Sequence, residues 1–554
     1  MAVIMMNTKK ISQGKEKEKN EDGKEKNEET MKMVDGEEDT MDEIEIWFDS
    51  RGMPVVNGSQ LIVDTMNQVI NNILTYTDST KKELKILRRA KKCAAAQLLL
   101  AVSAYNMGED GLSNEALRSA SLIEHKSLRD EKLLKALQLI YLEGKTLESI
   151  KIHHEISKLC PSDILNIYIC FNSYIYFYDM EGGKSLVEST IKRTLVYAQD
   201  EELINEFKKL NISETRDMLS AAEKYMVSSA PSKPLKEKNE RFSYFAGEDS
   251  YILGILCFIE DQLGHIERAK QLGEKSYSLN KKAPWTHHSL SHIYQDKGNI
   301  DYAIEFMVSH APDWSACIPF MRSHNWWHIG LLYLNKYYSI KSTKQKKIIG
   351  DKLIDIFKKY LWCCNPPNGK HTKEALFNSD PSVAAGAIGM LWHLNNHQFE
   401  MDKLNRWYKK RWSEVFDIIY PLYTNAHFFP FSDLHFAYAM ILHHDNDKEV
   451  DQYVKDCQTY CKEYEVIDNN EAITTVLPAV IDGFYAYRKG QVQKAFQVMH
   501  PKATKFHLLG GSHAQRLALD ETYLLICNQS GHEAEQKAYL DFKTPKDGVM
   551  QYPF

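Results

Sequence analysis

"GHIERAKQLGEKSYSLNKKAPWTHHSLSHIYQDKGNIDYA", residues 264–303, opens and closes on one pattern, a glycine followed five positions later by a small residue. Gly264 and Ala269 return as Gly298 and Ala303, each offset by 34 residues. Such a period marks a two-helix unit. The glycine turns the chain between the helices, and the small residue lets them cross closely. The same spacing occurs as "GKTLES" at 144–149 and "GQVQKA" at 490–495. Pro161 stands seventeen residues after Gly144, where a closing proline is expected, and Leu290 and Tyr294 take first-helix core positions before Gly298.

The period is that of the tetratricopeptide repeat. "KKCAAAQLLLAVSAYNMG" (91–108) and "EKLLKALQLIYLEGKTLESIKIHHEISKLCP" (131–161) also place apolar residues at helical spacing. Alternating runs bounded by Asn-Gly are nearly absent, which predicts little sheet. The expected fold is all-α, a tetratricopeptide-like helical repeat solenoid that long helices can close into a compact superhelix. Four segments are expected: a charged tail at 1–44, helical repeats at 45–230, a repeat pair with His-rich helices at 243–345, and C-terminal helical repeats at 346–554. The polar segment 228–248 carries two prolines and reads as a surface loop or block boundary.

Residues 1–44 hold eight Lys, thirteen acids and no aromatic residue, a net charge of −5 out of −6 for the chain. That composition predicts a disordered tail. The other 510 residues are near neutral, which offers no electrostatic footprint for nucleic acid. No apolar run is long enough for a membrane helix, and the N-terminus lacks the apolar stretch of a secretory signal. The ten cysteines form no C-x-x-C, so they read as reduced thiols in a cytoplasmic protein. Cys363–Cys364 and Cys457 with Cys461 are the close pairs, and neither completes a zinc set.

Within the repeat register, His288 and His292 lie ten and six residues before Gly298, on a first helix and one turn apart. His324 follows His292 by 32 residues, so His324 and His328 fall on the next first helix. First helices line the concave groove of such arrays, so four imidazoles are expected to converge there. Imidazole pairs at this spacing suit a divalent metal or proton transfer near neutral pH. The alternative is half-buried packing among Trp285, Trp314, Trp326 and Trp327. His287 and His310 read as incidental. The His-Glu pairs at 154–155 and 532–533 lack the second His of a zinc protease motif. "DMEGGKS" (179–185) is not a phosphate loop, because Tyr178 holds the first glycine position.

Two further blocks draw notice. In "LLGGSHAQR" (508–516), Ser512 and Gln515 read as a capping box, and Arg516 behind a helix start suits an anion. In "FFPFSDLHFAYAM" (428–440), Asp433 reads either as a helix cap or as a carboxylate orienting His435.

These blocks together resemble the tetratricopeptide repeat protein 38 family. "WFDSRGMPV" (47–55) resembles its opening. "WTHHSLSHIYQDKG" (285–298) matches at Trp285, His288 and His292, and "SHNWWHIGLLYL" (323–334) matches at His324, Asn325, Trp327 and His328. "FSDLHF" (431–436) matches at Asp433 and His435, and "LGGSHAQR" (509–516) at Ser512, Gln515 and Arg516. The blocks keep the family's order over about 45–545. The chain departs where the family usually has an Asp and an Arg, here Gly386 and His393, and the stretch 195–242 is longer. The resemblance implies architecture far more than a reaction.

Two functions follow as expectations. One is a binding protein that takes a protein or small-molecule ligand in a concave pocket lined by His and aromatic residues, without contact to nucleic acid or membrane. The basic clamp of chaperone-tail grooves is missing from it. The other is an enzyme with His288, His292, His324, His328, Asp433 and His435 as catalytic groups. There a divalent metal on the first four histidines is the cofactor, Asp433 orients an imidazole, and Trp327, Gln515 and Arg516 bind a small anionic substrate.

Overall fold

The structure, a computed structural model of the 554-residue chain, describes residues 44–107, 109–177, 179–198, 249–362, 381–420, 427, 429–465 and 470–543. The expectations for residues 1–43, for the long stretch past residue 198, for the segment 228–248 and for the pair at 363–364 lie outside them.

The described chain opens with an antiparallel hairpin, β1 (Ile46–Phe48) and β2 (Pro54–Val56), registered Ile46 to Val56. Helices then follow. The first eight are α1 (Gln60–Leu74), α2 (Lys81–Arg89), α3 (Ala94–Asn106), α4 (Asp110–Leu122), α5 (Leu128–Tyr141), α6 (Thr146–Leu159), α7 (Ile164–Phe177) and α8 (Met180–Ala198). Next come α9 (Ser250–Gln262), α10 (Ile266–Leu279), α11 (Pro284–Asp296), α12 (Ile300–His310), α13 (Pro319–Ser339), α14 (Thr343–Ile356) and α15 (Pro381–Asn396). The last are α16 (Met401–Glu414), α17 (Pro430–His443), α18 (Asp447–Tyr464), α19 (Leu477–Arg488), α20 (Val492–Met499), α21 (His513–Gln529) and α22 (Glu533–Lys543).

The fold is an all-α helical repeat. Consecutive helices pack as hairpins, among them α5 on α6, α9 on α10, α11 on α12 and α19 on α20. The four glycines of the sequence pattern sit in the turns of these hairpins. Gly144, Gly264, Gly298 and Gly490 take φ of +70°, +81°, +72° and +71°, a region closed to most side chains. After three of them the next amide reaches back five residues: His265 N–H to the Glu260 carbonyl, Asn299 to Tyr294 and Gln491 to Ala486, each at 2.9 Å. That closure satisfies helix-end carbonyls and needs the left-handed residue before it. Ser149, Ala269, Ala303 and Ala495 are all fully buried at the crossings.

One apolar core runs through the described chain, from Val55 to Tyr539. Beside it lies a charged knot. Arg129 donates to both carboxylate oxygens of Asp163, at 2.7 and 3.0 Å, and to Asp130 at 2.9 Å. All three are buried.

The helices that carry the candidate site start alike. Pro284, Pro319, Pro381 and Pro430 open α11, α13, α15 and α17. Proline suits that position because its φ is already helical and no amide is lost. Every residue of α11 except Gln295 is buried. α9, α13 and the start of α21 cover the face that carries His288 and His292. α21 is also tied to α9 across 251 residues, with the His513 amide donating to Gln262 Oε1 at 2.7 Å. No helix among the described residues is long and apolar enough to cross a membrane.

Candidate metal centre

α11 and α13 bring four imidazoles together. Nε2 of His292 and Nε2 of His324 lie 3.2 and 3.0 Å from Nε2 of His288. The His328 ring centre is 4.8 Å from His288, 4.5 Å from His292 and 4.8 Å from His324. All four are buried, and Phe258, Trp285, Phe320 and Trp327 wall the cluster.

Hydrogen bonding among the rings does not account for this arrangement. His288 Nε2 carries either one proton or one lone pair, yet it faces two nitrogens at bonding distance. Nδ1 of His288, Nδ1 of His292 and both nitrogens of His328 are buried without a hydrogen-bond partner. A buried polar atom left unmatched costs about 1–3 kcal/mol. His287 and His310 show what structural histidines in the same segment look like. His287 Nε2 lies 2.8 Å from the Lys281 carbonyl, and its Nδ1 accepts from Trp314 Nε1 at 3.0 Å. His310 is matched at both nitrogens, by the Phe306 carbonyl and the Tyr277 hydroxyl. Those two lie in a separate group with Asp313, outside the four-ring cluster.

Burial holds the cluster uncharged. It pulls His288, His292 and His328 well below the ordinary histidine value, and His324 to about 3. Neighbouring imidazoles push His288, His292 and His328 further the same way. Neutral rings at neutral pH have free lone pairs, which is what a metal requires. One nitrogen each from His288, His324 and His328 fall within 4.8 Å of one another. A tetrahedral ion bonded at about 2.0–2.1 Å separates its nitrogen ligands by about 3.3 Å, so the residues fit such an ion with small ring movements.

The sequence reading missed His513, Asp261 and Asp296. His513 opens α21, its ring centre 5.0 Å from His292. Its Nε2 lies 3.2 Å from Asp296 and its Nδ1 3.7 Å from Asp261. Burial would strip its proton, but the two carboxylates outweigh burial and raise its pKa above the ordinary value. Burial also raises the Asp261 carboxyl, against the pull of His513.

His435 does not join the four. Its Nδ1 lies 2.7 Å from the Phe431 carbonyl, and its ring packs on Trp392. A Cβ on Gly389 would meet His435 Nε2 at 3.1 Å, with Trp327 Nε1 at 3.9 Å, so the absent side chain lets both approach α15. Asp433 is corrected more fully. Two positions from His435 on one helix, it points away and lies 3.7 Å from His427. It is neither the cap of α17, which is Phe429, nor an orienter of the cluster. Arg516 is corrected too: its Nη1 donates to the carbonyls of Gly510, at 2.9 Å, and Gly511. It braces the loop before α21. Gln515 closes the capping box, its Oε1 accepting from the Ser512 amide at 3.0 Å while the Ser512 hydroxyl accepts from the Gln515 amide at 3.2 Å.

A second polar group joins α15 to α21. Fully buried Glu521 takes His393 Nδ1 at 3.2 Å, His397 Nε2 at 2.8 Å and Asn396 Nδ2 at 3.2 Å. His393 therefore has a partner, and a side chain on Gly386 would meet open space. Burial works to raise the Glu521 carboxyl, but the two imidazoles outweigh it and hold it at about 2, against an ordinary 4.5. A depressed carboxylate stabilises the fold above about pH 4.5 and loses that contribution as pH falls toward 2. The full shift corresponds to on the order of 3 kcal/mol. In denaturant unfolding from pH 5 to pH 3, the advantage of wild type over Glu521→Gln should shrink. An advantage that is constant with pH contradicts this account.

No model of a known protein family matches the chain. What the fold and the site define is a class: a helical-repeat protein with a buried cluster of histidines.

Proposed function

We propose that this chain is a tetratricopeptide-type protein that binds a small ligand in its interior, and that the ligand is a divalent transition-metal ion on His288, His324 and His328. The observation that carries the reading is His328, a buried imidazole with no partner on either nitrogen, ringed by three others. A docked peptide is the weaker reading, because the described residues already bury the four rings. We also propose membership of the tetratricopeptide repeat protein 38 family. Its matched His288, His292, His324 and His328 form the cluster, and its matched Trp285 and Trp327 wall it. A cytoplasmic setting is part of the proposal, supported by the free thiols of all the described cysteines.

A metal-dependent enzyme is the second reading. Its support is a three-histidine set, the ligand number typical of catalytic zinc, beside His513, whose pKa its two carboxylates raise above the ordinary value. It loses Arg516 as an anion anchor, since that side chain braces the loop before α21.

Elemental analysis of the purified full chain tests the proposal. At least one equivalent of metal per chain is expected after dialysis, with near-complete loss from this set in His324→Ala/His328→Ala. A chain that is isolated without metal and takes up neither Zn²⁺ nor Co²⁺ on titration overturns it.

A further inference from the structure

We infer that a second divalent cation binds beside the first, on Asp261, His292 and His513, and that His292 faces both ions. The inference rests on the metal reading above and extends it to a paired centre. His292 stands between two ligand sets with one nitrogen turned toward each. Its Nε2 is 3.2 Å from His288 Nε2, and its Nδ1 is 3.9 Å from Asp261 Oδ2. His513 Nδ1 closes the second set at 3.7 Å from the same oxygen. The three ligand atoms lie within 4.8 Å of one another.

Two observations point to a ligand beyond this spacing. His292 Nδ1 and Asp261 Oδ1 are buried with no hydrogen-bond partner, on side chains that are almost wholly buried. An oxygen with two imidazole nitrogens suits borderline ions such as Zn²⁺, Co²⁺ or Fe²⁺.

Gln262 occupies the space between these ligands. Its Nε2 lies 2.7 Å from His513 Nδ1 and 2.9 Å from Asp261 Oδ2, and its Oε1 accepts from the His513 amide. This side chain holds the ligand atoms in place, and the cation would displace its amine end while the Oε1 contact stays. A purely structural role for the group is a staple: His513 and Gln262 fastening α21 to α9.

Native mass spectrometry of the full chain with Zn²⁺, with Co²⁺ absorbance as a second readout, separates the two. Wild type should hold two ions. His513→Ala should hold one, and so should His324→Ala/His328→Ala. Asp261→Asn, which keeps the shape of the side chain, replaces His513→Ala if that variant does not fold. One ion in wild type, still one in His513→Ala, overturns the inference and leaves the first site standing. One ion in wild type that is lost in both variants means one shared site, which also overturns it. No ion in any form overturns both readings.

Discussion

Chelator-stripped protein should melt below the same protein saturated with Zn²⁺, and His328→Leu should shrink the difference. A ligand at a thousandfold its dissociation constant stabilises the fold by about 4 kcal/mol. For a chain of this size that is a rise of about 4 °C in Tm. The variant carries a sign that separates metal ligation from packing. Without metal, Leu fills similar space and removes two unmatched buried nitrogens, so stripped His328→Leu should be as stable as stripped wild type or more so. With metal, the order reverses. A packing histidine would give a variant that is destabilised equally in both states. Acid should unmake the centre in either state. The cluster histidines have folded values below the ordinary 6.5, so the unfolded chain binds more protons and stability falls as pH drops below about 6.5. For His324 the loss continues to about 3. Each such group contributes up to about 1.4 kcal/mol per pH unit, so four together give a steep limb. A flat profile between pH 7 and pH 5 would count against the buried, neutral cluster.

Arg129→Met should be the most damaging single change outside the histidine centre, at about 3–5 kcal/mol. Met keeps the length of the side chain but removes three charged donors from Asp130 and Asp163, both of which stay buried. Asp49 adds to the load. It too is buried, its carboxyl raised by burial and its oxygen committed to the amides of Met53 and Arg51. Chemical denaturation should show the loss as a lowered midpoint. Asp163→Asn in the Arg129→Met background should recover part of it, because the second change removes one uncompensated charge. Lower pH should help the variant for the same reason. If the double variant is no better than the single one, the cost lies in packing and not in charge.

The repeat was legible because its turns demand one residue type. Gly144, Gly264, Gly298 and Gly490 occupy backbone that other residues resist, and the buried small residues five positions on permit the crossings. Both constraints act locally, so they leave a mark at fixed spacing. The histidine pairs were legible for a similar reason, since one helical turn joins His288 to His292 and His324 to His328. What failed was contact across long intervals. His513 has no partner at helical spacing, and nothing near it in sequence points to α9. Asp433 stands two residues from His435, which reads as closeness in a string and means opposite faces on a helix. Arg516 suggested an anion because a guanidinium at a helix start has donors to offer. The positive-φ pair Gly510 and Gly511 turns two carbonyls toward it, and local sequence does not show that.

The bond between His513 and Gln262 also alters how the molecule comes apart. A linear array of hairpins frays from its ends, each unit answering only to its neighbours. Here a residue near the far end of the chain is fastened to the middle, with the histidine cluster at the clasp. Peeling away α21 therefore opens the interior of a hairpin some 250 residues upstream. The clasp couples the two halves into one thermodynamic unit, in which an intact C-terminus becomes a condition for the chemistry of the centre.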